Sequence, residues 1–217
     1  MNNNEKYNTE DIKKGAQDAF NETKEVFKNL DVKSEAKATE GFLKDFIKNP
    51  LDAVNTSVSG GSKNFTLAVI LVAIWIAAAF IIQFVQFVRF NHVGFLSIIQ
   101  AIVGPALSII VLSGIVMVFN KDTNKSITDL ITIITITRIP IIAVTVLNIL
   151  SVISIQFFRL TSPVSTFASV ISTILLYFAV KKTLGEENDS KFFITFAKIY
   201  GLFVVLRFLL TFLEIGI

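Results

Sequence analysis

"ITDLITIITITRIPIIAVTVLNIL", residues 127–150, decides the fold. The run is almost wholly apolar, yet Arg138 and Pro140 stand near its middle, and its first half alternates isoleucine with threonine as a strand would. A membrane-barrel strand covers about 10 residues and keeps one polar face. This run is too long and too apolar for that. In lipid an open chain satisfies its backbone within each segment, which only a helix does. The stretch is therefore expected to be a membrane helix that holds a permanent charge and a helix-breaking ring.

The rest of the chain agrees on the solvent. Of 217 residues 53% are hydrophobic and 17% charged, with mean hydropathy +0.65, outside the range of an ordinary water-soluble domain. Residues 65–88 give 24 uncharged positions, more than the roughly 20 that cross about 30 Å of hydrocarbon. Four further spans are expected at 95–119, 127–158, 163–180 and 192–216, making an all-α integral membrane protein with five transmembrane helices in a bundle. Gly104 and Pro105 should kink the second span, and Pro140 the third. Ser162 before Pro163 and Ser190 are the expected helix starts of the last two.

Upstream the composition changes. Residues 1–64 hold ten Lys and eleven Asp+Glu, and residues 65–217 hold ten Lys+Arg and six Asp+Glu. Residues 1–54 read as a hydrophilic cytoplasmic region of amphipathic helices, joined by a flexible Gly/Ser/Asn linker at 55–64 to a membrane domain at 65–217. Ile12, Ala16, Phe20, Phe27 and Leu30 recur at helical spacing, with a mostly disordered tail as the alternative. Phe42, Leu43, Phe46 and Ile47 form a second stripe beside Lys44 and Lys48, which fits a helix lying on the membrane surface, its phenylalanines among acyl chains and its lysines near anionic phosphates. No apolar h-region precedes residue 65, so the first span is expected to serve as the insertion signal.

Five crossings put the termini on opposite sides. An inside N-terminus leaves Lys44, Lys48, Lys63, Lys121, Lys125, Lys181, Lys182 and Lys191 inside and only Arg89 and Arg159 outside, so the positive-inside rule places the N-terminus in the cytoplasm and the C-terminus outside the cell membrane. Arg138 then has two placements. Either Arg138 and Arg159 bracket a span of 20 uncharged residues, or the span begins near Asp129 and the guanidinium lies deep, where charges usually serve function. Arg207, in a helix that crosses in the same direction, would share that level without a carboxylate for company. Arg138 and Arg207 are accordingly candidate contacts for an anion or a lipid, with separate snorkelling as the alternative.

The inventory excludes much else. There is no cysteine and a single histidine, His92, so disulfides, thiolate chemistry, multi-histidine metal sites and Ser-His-Asp catalysis are not supported. Neither an enzyme, a cofactor, a metal nor a nucleic-acid partner is expected. Thr128, Thr132 and Thr135, like Ser165, Ser169 and Ser172, form small polar faces suited to packing helices, with a permeation path as the alternative.

"NPLDAV" at 49–54, "NKSITDLITIITITRIP" at 124–140 and "LLYFAVKKTLGEENDSKFF" at 175–193 carry a resemblance over about 165 residues to the Yip (Ypt-interacting-protein) family of multi-pass membrane proteins. The resemblance implies a cytoplasmic N-terminal region, five membrane helices, a non-enzymatic role and membrane or cytoplasmic protein partners. Pro140 falls where it expects a proline, whereas Arg138 departs from it, and the lysine-rich, arginine-poor composition points to a bacterial member. The leading expectation is a protein that organises lipids or partners at the bilayer through residues 1–54, with homo-oligomerisation left open. The alternative is a small transporter, channel or lipid-moving protein that uses Arg138, Arg207 and the kink at Pro105.

Overall fold

The computed structural model describes residues 32–60, 64–90, 94–120, 125–152 and 155–212, together with a few positions between 17 and 28. Of the apolar stripe expected before residue 31, Phe20 alone falls within the described residues, and His92 falls outside them.

The described residues form eight principal helices and no strand: α1 (Val32–Lys48), α2 (Pro50–Gly60), α3 (Phe65–Phe90), α4 (Phe95–Phe119), α5 (Ile127–Thr137), α6 (Ile139–Ser151), α7 (Ile155–Leu184) and α8 (Asp189–Phe212). Four of them are long and apolar enough to cross a membrane, at Phe65–Arg89, Leu96–Phe119, Thr161–Leu184 and Asp189–Leu210, and α5 with α6 makes a fifth if the bent pair is one span. Their outer faces carry exposed Phe84, Phe167, Ile174 and Phe208, a surface suited to lipid and costly in water. The chain is thus built as a multi-pass membrane protein would be.

The stretch at 127–150 is helical, and its period is 3.6 rather than 2. Ser126 starts it with a reciprocal cap: its hydroxyl accepts from the Asp129 N–H at 3.1 Å, and the Asp129 carboxylate accepts from the Ser126 N–H at 2.9 Å. Leu130 and Ile134 then face one core, with Leu112 and Val116 of α4, Leu176 of α7 and Phe192 of α8. Ile133 and Ile136 face the other, with Val54 of α2, Leu71 of α3, Ile142 of α6 and Leu175 of α7. With both faces covered, α5 is the axis of the bundle. The threonines spend their hydroxyls on their own helix, Thr132 donating to the Thr128 carbonyl at 2.8 Å and Thr135 to Ile131 at 2.7 Å.

Three expectations about element limits need correction. The third span is two helices bent by 53° at Arg138. Pro140 has no N–H to give to the Ile136 carbonyl, and the bend takes the Ile141 N–H away from Thr137. The freed Thr137 carbonyl is met instead by the Ser172 hydroxyl of α7 at 2.5 Å, so a partner across the bundle holds the break. Second, α7 begins at Ile155 with Pro163 inside it, because the long apolar helix runs on through the proline; and α8 is capped by Asn188, whose Oδ1 accepts from the Lys191 N–H at 3.0 Å, rather than by Ser190.

Third, residues 55–60 are not a flexible linker but the second half of α2, where Ser57 and Val58 are buried. Tertiary contact overrides the Gly/Ser/Asn composition. Val54 and Val58 face the bundle, the Lys125 ammonium donates to the Val58 carbonyl at 2.7 Å, and the Lys182 ammonium donates to Asn55 at 3.1 Å. Lysines at carbonyls of the last helical turns also suit the negative end of the helix dipole. The same docking turns Phe46 inward at 5% exposure, with Phe42 and Leu43 half-buried against it, while Ile47 stays 79% exposed beside the exposed Lys44 and Lys48. Of the six residues expected at the membrane surface, Phe46 therefore belongs to the protein core.

Candidate functional site

One break, at Arg138, and five helices build one cavity. Pro105 cannot donate to the Ala101 carbonyl one turn back, and Ala101, Gly104 and Pro105 together form one wall. Arg138 stands at the break between α5 and α6, where its backbone N–H bonds to Thr135 at 2.9 Å and its carbonyl opens α6 by accepting from Ile142 at 2.9 Å. The elbow directs its side chain off the axis of the bundle, and that side chain lines the cavity. Trp75 of α3 and Thr173 of α7 add further wall, and Tyr200 and Arg207 of α8 close the remaining side.

The space so enclosed has a volume of about 470 Å³, within the roughly 300–1,000 Å³ of small-molecule sites. Trp75, Gly104, Thr173 and Tyr200 each lie close to the midpoint of their own span, whereas Gln83, Gln100 and Arg207 lie toward the ends remote from α1 and α2. The cavity thus runs from the middle of the bundle toward one face. Arg138, 9% exposed, marks its deep end, and the exposed Arg207 lies toward its mouth.

The electrostatics are one-sided. Both arginines line the cavity and lie close enough for their charges to act on each other, and among the described residues no aspartate or glutamate lines it. A guanidinium presents five N–H donors in a flat fork and stays charged. Two of them facing one low-dielectric space repel, and an anion between them turns that repulsion into two attractions. Gln83, Gln100, Ser108, Thr145, Ser169 and Thr173 supply neutral polar groups around the same space.

The residues singled out in the sequence therefore meet here: Arg138, Arg207, Gly104 and Pro105 share one cavity, and Pro140 shapes the elbow that carries Arg138. Phe42, Leu43, Lys44, Phe46, Ile47 and Lys48 stand apart from it on α1. Sequence reasoning missed Trp75, Gln83, Gln100 and Tyr200. Only the approach of α3 and α4 to each other gives the two glutamines a common cavity. Compared with protein-family models, with curated proteins and with solved structures, the chain matches none.

Proposed function

We propose that this chain is a non-enzymatic integral membrane protein that binds an anionic group inside its helix bundle, between Arg138 and Arg207. The observation that carries the reading is the cavity of about 470 Å³ that Arg138 and Arg207 line together. Burying a charge inside a membrane protein is expensive, and intramembrane charges are paired or functional. Here two guanidiniums line one space, and an anion between them would offset their mutual repulsion.

In this reading residues 1–54 form the cytoplasmic side, with amphipathic helices that meet partner proteins or lipid, and the C-terminus lies outside. The lysine distribution and the exposed Lys44, Ile47 and Lys48 of α1 support that orientation. The layout shared with the Yip family belongs to the same proposal. A second reading, a transporter or lipid-moving protein, draws support from the elbow at Arg138, since broken helices near the middle of a bundle hold substrates in many transporters.

The test of binding uses inorganic phosphate and sulfate as probes on the full chain in detergent. Either anion should raise the thermal midpoint, because a ligand that binds only the folded state stabilises it by mass action. Arg138→Gln should remove that rise. An identical rise in wild type and variant, or none in either at tens of millimolar anion, would refute the anion site. Flux of labelled anion or lipid in liposomes then separates a binder from a carrier.

A further inference from the structure

Resting on the reading of the chain as an integral membrane protein, and independent of the anion site, we infer that the outward face of α8 docks a helix of another membrane protein. That helix carries an aspartate or glutamate near its middle, and Lys198 is the residue that recognises it.

α8 packs on the bundle by one side only. Phe192, Phe196, Ile199 and Phe203 are buried there, and α8 is the least covered of the four long spans. On the opposite side Ile194, Lys198, Gly201 and Val205 are all exposed. Their spacing of four, three and four sets them on one line along the helix, half a turn away from the buried phenylalanines. A line of this period is the seam along which a second helix packs. Gly201 has open space where a Cβ would stand, so a neighbouring backbone can come close at that point.

An apolar seam would simply face lipid, but Lys198 makes that costly. It stands near the midpoint of the span Asp189–Leu210. It also lies seven residues past Lys191, roughly 10 Å deeper at 1.5 Å per residue. Its side chain leans back toward that end of α8, yet a four-carbon stem covers only part of the distance, so snorkelling eases the cost without removing it. Among the described residues Lys198 makes no hydrogen bond or ion pair, and Asp189, the nearest acid along the chain, pairs with Lys181 at the turn. An ammonium brings three donors and no acceptor, and a carboxylate at the same depth supplies acceptor and countercharge together.

Charge argues against a second copy as the occupant. The acids of residues 65–217 are Asp122, Asp129, Glu186, Glu187, Asp189 and Glu214, none of them in the middle of a span. A second α8 in the same orientation would bring another lysine to Lys198. The partner is therefore a different chain.

The probe is a synthetic leucine-alanine helix of about 20 residues with one central aspartate, labelled with dansyl and free of tryptophan. It is reconstituted with the full chain in phosphatidylcholine vesicles, and energy transfer from Trp75, the chain's only tryptophan, reads docking. The aspartate peptide should bind about fivefold to thirtyfold more tightly than the same peptide without it. Lys198→Leu should lose that preference with a thermal midpoint no lower than wild type, Lys198→Arg should keep it, and Gly201→Leu should weaken docking of both peptides. Equal transfer from the two peptides, or a preference that survives Lys198→Leu, would overturn the inference and leave Lys198 as a snorkelling residue. Photobleaching steps count the chains per vesicle without peptide; a dimer that Lys198→Leu separates would overturn it in favour of a second copy. If alkaline carbonate strips the chain from the vesicles, the integral-membrane reading falls and this inference with it.

Discussion

Ser172→Ala tests how the break at Arg138 is held. Ser172 is fully buried, and its hydroxyl meets the Thr137 carbonyl at 2.5 Å, the one bond from α7 to the last residue of α5. The bend of 53° keeps the Ile141 N–H from that carbonyl, and no water reaches a residue with 0% exposure. Stranding a buried acceptor costs about 1–3 kcal/mol. Measured inter-helix hydrogen bonds in membranes average about 0.6 kcal/mol with a ceiling near 1.7, because the separated helices find other partners. A carbonyl at a helix break has fewer such substitutes, so the upper part of that range applies, about 1–2 kcal/mol. For a chain of this size that is about 2–8 °C in thermal midpoint. Unfolding in mixed detergent and SDS micelles provides the assay, with Ser172→Thr as the variant that keeps the hydroxyl. Thr166→Ala is the control, since its exposed hydroxyl only back-bonds to Ser162 at 3.4 Å within α7. Ser172→Ala as stable as Thr166→Ala would show that the elbow stands without the cross-bundle bond.

Other perturbations separate packing from membrane contact. Phe46→Ala, which empties a site at 5% exposure, should cost about 3–5 kcal/mol, whereas Ile47→Ala, next along the chain at 79% exposure, should leave stability within error; equal losses in denaturant titration would contradict the docking of α1. Lys125→Met removes the donor to the Val58 carbonyl and should cost about 0.3–1 kcal/mol, read as faster amide exchange confined to residues 54–60, with unchanged exchange there counting against it. Asp129→Ala breaks the reciprocal cap at the start of α5 and should lower stability by about 1 kcal/mol; Asp129→Asn, which keeps an acceptor for the Ser126 N–H, should recover most of the loss in the same titration.

Much of the bundle was legible in advance because length and hydropathy are properties of each segment alone. The runs that became α3 and α4 needed no partner to be recognised. Limits were harder. Pro163 looks like a helix start from local chemistry, yet α7 continues through it from Ile155. The Gly/Ser/Asn run at 55–60 looks like a linker, yet it forms a docked helix because Lys125 and Lys182 bond its carbonyls and Val58 finds a core. Phe46 shows the same limit. An apolar stripe repeats every 3.6 residues whether lipid or protein covers it, so its period cannot name its partner.

By itself the sequence determined which segments are long and apolar enough to cross a membrane, the helical class and the presence of a charge and a proline in one apolar run. Those follow from local composition, since twenty apolar residues have only one way to satisfy a backbone in hydrocarbon. Tertiary structure decided that the run bends by 53° at Arg138, that Ser172 of another helix holds the bend, and that Arg207 meets Arg138 across a shared cavity. Such facts depend on where residues far apart in the chain come to rest. Packing sets that position, and no single segment contains it.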